Sequence, residues 1–115
     1  GAPRGGRTYN GVDLACYPDS KVASYTPGTV TKLGHAYADD LGFRYVEITL
    51  DGNRFRYFYV EPMVAVGDKI LAGDIIGSVQ DLRTRYPGIT SHFHFEIINP
   101  DGDHVNPAEM FGELT

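Results

Sequence analysis

The chain of 115 residues has no tryptophan, one cysteine and few basic residues, and each shortage excludes something. A lone cysteine cannot form an intrachain disulfide, so Cys16 carries no information about redox compartment. The longest apolar stretches, Ile75-Ile76 and Phe95 to Ile98 with Glu96 inside, fall far short of the roughly 20 residues that a membrane span needs. No membrane helix is expected. Ten Lys and Arg stand against 15 Asp and Glu, giving a formal charge of -5, and the basic residues form no block. A nucleic-acid partner is therefore not expected. Nothing in the composition sets an oligomeric state.

What the chain does have is 14 glycines, seven prolines and eight tyrosines, a composition that favours short strands between tight turns. Candidate strands are Gly11–Cys16, Lys21–Ser24, Gly28–Leu33, Phe43–Leu50, Arg54–Tyr59, Ile75–Gln80 and His92–Ile98. Asp51-Gly52 lies between two of them, and Asp-Gly tolerates the positive φ angles of a two-residue hairpin turn, so those strands should pair antiparallel. Asp101-Gly102 supplies a second turn. Pro107 to Phe111 is expected to make the one short helix, with proline at its first position. Residues 1–8, glycine-rich and without an apolar segment, read as a linker or remnant; residues 9–115 read as one domain. The expected fold is all-β, a small antiparallel sandwich. The segment Val66 to Gly77, with glycines where the chain turns sharply between short apolar pieces, has the form of barrel-sandwich hybrid domains. Lipoyl and biotinyl carriers share that form, but no exposed lysine hairpin is evident here.

The chemistry concentrates in His92-Phe93-His94-Phe95-Glu96. In a strand His92, His94 and Glu96 share one face while both phenylalanines enter the core. Neutral imidazole is the commonest metal ligand and a general base near neutral pH, so two on one face suit a site where one binds a metal and the other assists. Two polar residues on a solvated strand would give the same pattern. Cys16 stands three positions after Asp13 on its strand and so faces the other way, into the core. His35, in a stretch read as a loop, and His104, after a turn, are read as surface residues. Most of the tyrosines are read as strand and core residues, with some left to line a groove for peptide or glycan.

The order of several motifs adds to this. Tyr9-Asn10-Gly11-Val12-Asp13-Leu14, then Gly67-Asp68-Lys69 with Gly73-Asp74-Ile75-Ile76-Gly77, then Ser91 to Glu96, then Val105-Asn106-Pro107 together resemble the lysostaphin-like, LytM-type zinc metallopeptidases from Tyr9 to Phe111. The resemblance implies zinc held by a His-x-x-x-Asp pair and by the second histidine of His-x-His. It also implies that the first histidine of His-x-His and one from a Tyr-x-His-x strand assist catalysis. Carried over by position, Asp13 and His94 are metal ligands and His92 is a catalytic histidine. The other two positions depart: Tyr9 stands where a zinc-binding histidine is expected, and a neutral phenol is a poor zinc ligand. In Tyr57-Phe58-Tyr59-Val60 the second catalytic position is Tyr59.

Tyr86-Pro87-Gly88-Ile89-Thr90-Ser91-His92 is similar to a stretch in the leukocyte cell-derived chemotaxin branch of that family, which implies a zinc-binding signalling protein rather than a peptidase; the extra cysteines of that branch are absent here. A catalytic zinc needs three protein ligands and an open position. Zinc binding is therefore expected to be weakened or lost. The expected function is a non-catalytic or weakly active module for cell-wall peptidoglycan or a protein partner. The alternatives are an active zinc endopeptidase cutting peptidoglycan cross-links, with Tyr9 and Tyr59 stabilising the tetrahedral intermediate, or a structural part of a cell-envelope or phage-tail assembly. The resemblance alone implies an extracytoplasmic location.

Overall fold

The computed structural model describes residues 12–84, 87–88 and 92–106. Tyr9 and the expected helix at 107–111 lie outside that range. Ten strands run in order: β1 Val12–Ala15, β2 Lys21–Ala23, β3 Gly28–Tyr37, β4 Asp40–Leu50, β5 Asn53–Phe58, β6 Val60–Pro62, β7 Lys69–Ile70, β8 Ile75–Val79, β9 His92–Ile98 and β10 His104–Val105. The helical content among the described residues is one 3-10 turn, Leu82–Thr84. None of it is long and apolar enough to cross a membrane.

The strands form two sheets. The larger has seven, in the order β1-β9-β5-β4-β3-β7 with β10 on β9, and the smaller has β2-β8-β6; every pairing is antiparallel. The side chains between them make the core: Val22, Val60, Ile76 and Val79 from the small sheet meet Val30, Val46, Ile48, Phe55, Tyr57, Phe95 and Ile97 from the large one. This is the all-β antiparallel sandwich expected from the sequence. Tyr57, 2% exposed, keeps its hydroxyl satisfied by accepting the Tyr25 backbone N–H at 2.8 Å, as a buried phenol must. Cys16 packs partly buried against this core, on the side expected of it.

The turns follow their residues. Asp51 and Gly52 both have positive φ, 51° and 83°, and Leu50 stands opposite Asn53 across them, the two-residue hairpin that Asp-Gly favours. The glycine-spaced segment makes one turn twice. In Ala65 to Asp68 and in Leu71 to Asp74 the aspartate carboxylate accepts the first residue's N–H, at 2.9 and 2.8 Å. The aspartate's own N–H returns to that residue's carbonyl, and the glycine between takes a positive φ of 98° or 92°.

One stretch differs from the sequence reading. Residues 34–42 read as a loop because glycine and alanine weaken a strand signal, yet β3 runs on to Tyr37 and β4 begins at Asp40, with Gly34 opposite Tyr45 and His35 opposite Arg44. Gly34 leaves the space that the Tyr45 ring occupies, since a Cβ there would overlap the ring. Close approach, not flexibility, explains that glycine. His35 is therefore a strand residue, its Nδ1 3.2 Å from the Leu41 carbonyl oxygen.

Candidate functional site

Strand alternation splits each central strand of the large sheet between two faces. Val46, Tyr57 and Phe95 stand in register on the inner face; Tyr45, Phe58 and His94 stand in register on the outer one, followed two residues on by Glu47, Arg56 and Glu96. His92 belongs to the same outer set. The alternation read from the sequence is the one the fold uses, with Phe95 1% exposed and Phe93 packed against the core.

The outer face closes its charges on one another. Arg56 Nε donates to Glu47 Oε2 at 2.8 Å and the Thr31 hydroxyl donates to Glu47 Oε1 at 2.8 Å, so that a glutamate only 5% exposed has a donor on each carboxylate oxygen. The guanidinium also lies over the Tyr45 ring, 5.4 Å from its centroid, with the Lys32 ammonium at 5.8 Å.

Glu96 is the centre of the histidine cluster. Its Oε2 lies 3.0 Å from His94 Nε2 and its Oε1 lies 3.2 Å from His104 Nε2. Burial acts to raise its pKa, but the hydrogen bonds from His94 and then His104, with the charges of both rings, outweigh this and hold the carboxyl below its ordinary value. His104 is exposed, as expected of a surface residue, and its ring also reaches Glu96. Strand β10 places it opposite Ile98, two residues from Glu96, after a turn in which Asn99 Oδ1 accepts the N–H groups of Asp101 and Asp103. The signal was present: the Asp101-Gly102 turn, extended by one pairing, puts His104 beside β9.

Tyr59 sits where the chain leaves the large sheet for the small one. Phe58 pairs with Tyr45 and His94, whereas Val60 pairs with Val79, and Tyr59 between them has a φ of 67°. A bulky residue with positive φ is an outlier that the surroundings must hold. Here its N–H donates to the Arg44 carbonyl at 2.8 Å and its carbonyl accepts from Gln80 N–H at 2.9 Å. Its ring meets His92 edge to face, with centroids 5.7 Å apart and planes at 89°, and its hydroxyl is 2.9 Å from that of Tyr37. Phe43 packs edge-on against both tyrosines. The family resemblance named positions 59 and 92 for one site, and the ring contact between them is seen in the structure. Tyr37 was missed, because the end of β3 read as loop.

Asp13 stands directly opposite His94 in the β1–β9 register. A carboxylate and an imidazole are donors of the kind zinc accepts, and a carboxylate on Nε2 of a histidine is the outer partner that metal-bound histidines usually have. In kind, these residues fit zinc. In number they stop at two, and among the described residues no group of three or more His, Cys, Asp or Glu side chains is arranged to hold an ion.

Comparison with known proteins agrees with the fold and the motifs. Leukocyte cell-derived chemotaxin-2 of Bos taurus is 30% identical over 96 residues, which cover 83% of this chain and 63% of that protein, so the chain spans less than two thirds of that relative. Among solved structures, the catalytic domain of a point mutant of EnpA, a prophage-encoded M23 protein from Enterococcus faecalis, is similar with a TM-score of 0.70 and 27% identity over 90% of this chain and 78% of that one. The catalytic domain of lysostaphin from Staphylococcus simulans, named as an antimicrobial peptidase, shares the fold with a TM-score of 0.69 and 22% identity, over 92% of this chain and 80% of that one. The model of peptidase family M23 matches residues 7–107; the chain belongs to that family.

Proposed function

We propose that this is an M23 domain whose metal site is degenerate, and that it binds a peptide of the cell wall or a protein partner, outside the cytoplasm, with little or no cleavage. The observation that carries the reading is Tyr59. Where the resemblance calls for a second catalytic imidazole there is a phenol, hydrogen-bonded to Tyr37 and set edge-on to His92. A phenol can donate a hydrogen bond to a developing oxyanion but is a poor proton acceptor at neutral pH. The second departure, Tyr9, removes a ligand from a set that would otherwise be Asp13, His94 and one histidine. Zinc supplies Lewis acidity at such a site; with two ligands its affinity falls.

Calorimetry on chelator-stripped protein, beside Tyr9→His, tests this. The reading requires no zinc binding tighter than about micromolar in the parent chain and one equivalent bound tightly in Tyr9→His. One zinc bound tightly by the parent chain would overturn it.

The Glu96 contact on His94 favours a second reading, a working zinc endopeptidase for peptidoglycan peptide bonds, because a carboxylate partner raises the basicity of a ligating histidine. Peptidoglycan digests that yield no chelator-sensitive product between about pH 6 and 9 would dispose of it.

A further inference from the structure

The chain carries a formal charge of -5, yet cations gather on one surface, the outer face of the large sheet. Elsewhere Arg44 is spent on the carbonyls of Leu33 and Gly34, Arg83 is spent on Asp81, and Lys21 lies on the small sheet. Lys32, Arg54, Arg56 and Lys69 stand in two neighbouring rows across the strands: Lys69, Thr29, Thr49 and Arg54 in one, and Lys32, Glu47 and Arg56 in the next. We infer that this patch docks an acidic peptide in extended form, with Lys32, Arg54 and Arg56 meeting its carboxylates. The inference deepens the proposed function, since it rests on the domain binding a peptide, and it needs no metal.

The patch is held ready by its own contacts. Arg56 gives its Nε to Glu47 and sets its guanidinium over the Tyr45 ring, while among the described residues its terminal nitrogens make no hydrogen bond. No side-chain nitrogen among those residues is buried without a partner, so that forked edge is open to solvent. A planar carboxylate meets such an edge with two parallel hydrogen bonds. The Lys32 ammonium lies 5.8 Å from the centroid of the same ring, and among the described residues neither Lys32 nor Arg54 joins an ion pair. The carboxylates of the face are occupied, Glu47 by Arg56 and Thr31 and Glu96 by His94 and His104. Neighbouring strands lie about 4.8 Å apart, so Lys32 and Arg56, two strands apart, begin about 10 Å from each other, roughly the span of three residues of an extended peptide. The next row, Gly34, Tyr45, Phe58 and His94, joins the patch to the surface at Tyr59 and His92, so one peptide reaches both. Its half-buried Phe58 ring offers contact to an apolar side chain between two carboxylates, which a phosphate or sulfate polymer lacks. Because the chain as a whole is acidic, the attraction is local to this face and falls with salt.

Two end-blocked synthetic peptides, Gly-Glu-Gly-Gly-Glu-Gly and the same peptide with glutamine for glutamate, titrated into the wild-type chain and followed by amide NMR, test this. The glutamate peptide is expected to move the signals of Lys32, Thr49, Arg54 and Arg56, and to bind about tenfold more tightly than the glutamine peptide, the gain from two exposed ion pairs. Lys32→Gln and Arg54→Gln remove no ion pair from the folded chain. Each is expected to weaken the glutamate peptide about threefold and to leave the glutamine peptide unchanged, while Lys21→Gln, on the small sheet, changes neither. Equal affinity for the two peptides in the wild-type chain overturns the inference without any variant having to fold. So do shifts that map away from the outer face, and so does a linear polyphosphate of matched charge that binds the face more tightly than the glutamate peptide. The two readings fail separately. A glutamine peptide that binds the outer face as well as the glutamate one removes the acidic specificity and leaves the binding function standing. A parent chain that takes up one zinc tightly in calorimetry removes the degenerate metal site and leaves the patch, none of whose residues is a metal ligand.

Discussion

The two faces of the large sheet are built from the same strands and differ in almost everything else. On the inner face Tyr57 and Phe95 lie with ring centroids 4.9 Å apart among aliphatic side chains from both sheets, and the one polar atom of that pair is satisfied by a backbone N–H. On the outer face the residues in the same positions of the repeat are the charged Glu47, Arg56 and Glu96, the imidazole of His94, the Tyr45 ring under two cations and the Phe58 ring edge-on to His94. The inner face holds the molecule together by burying apolar area. The outer one contributes less to stability and more to placing groups, because its ion pairs and hydrogen bonds exchange for water on unfolding. Truncation should therefore separate them. Phe95→Ala is expected to lower stability by about 4 kcal/mol and Phe58→Ala, across the sheet on the partly exposed face, by less than half of that. Urea unfolding of the two variants, compared at matched slope, measures the gap, and equal losses would erase the distinction between the faces.

The strongest exception to that contrast is Glu47. It lies on the outer face yet is as buried as the core, with Arg56 at 2.8 Å as its cationic partner. Arg56→Ala would strand a carboxylate that only Thr31 still serves and is expected to cost about 3 kcal/mol. A double replacement of Glu47 and Arg56 by methionine is expected to recover most of that loss, because the charge and its desolvation are removed together. If the double variant is as unstable as Arg56→Ala, packing and not the buried charge sets the effect. Denaturant midpoints of the three chains decide it.

Gly34 offers a smaller test of the same face. Alanine there would collide with the Tyr45 ring, which lies beneath Lys32 and Arg56. The expected cost is about 2 kcal/mol, with Tyr45 ring resonances moved in NMR spectra and those of Phe95 unmoved. A shift spread evenly through both faces would mean that Tyr45 is coupled to the core.

How much of this could be read from the sequence depended on whether the contact was local. The alternation in His92-Phe93-His94-Phe95-Glu96 is local, and it gave the two faces of β9 correctly. The Asp51-Gly52 hairpin is local too, because the turn residues themselves demand positive φ. The ends of β3 and β4 were missed because Gly34 and Ala36 carry weak strand propensity, and what makes that segment a strand is the partner across from it, Tyr45 over Gly34. The small sheet joins β2, β8 and β6, which are distant in sequence, so no window of neighbouring residues announces it. At the site, the family resemblance named positions 59 and 92 without bringing their rings together, and His104 was discounted because a lone histidine after a turn has no spacing of its own. Its meaning comes from Glu96, on another strand.

The smallest expected effect concerns that carboxylate and pH. The folded-state pKa of Glu96 is lowered from its ordinary 4.5 by hydrogen bonds from His94 and His104 that outweigh the opposing effect of burial. A group with a lowered folded pKa binds fewer protons when folded than when unfolded, so its contribution to stability is complete above about pH 4.5 and is lost as pH falls through the lowered value. Glu96→Gln removes the titration while keeping the shape. The difference in unfolding free energy between wild type and Glu96→Gln should thus be about 1 kcal/mol near pH 5 and should then shrink as the medium becomes more acid. A difference that widens with acidity would mean that Glu96 is held protonated in the folded chain. In that case it would donate to His94 rather than accept, the lone pair on that ring would lie at Nε2, and the outer face would present its histidine to any ligand through the other nitrogen.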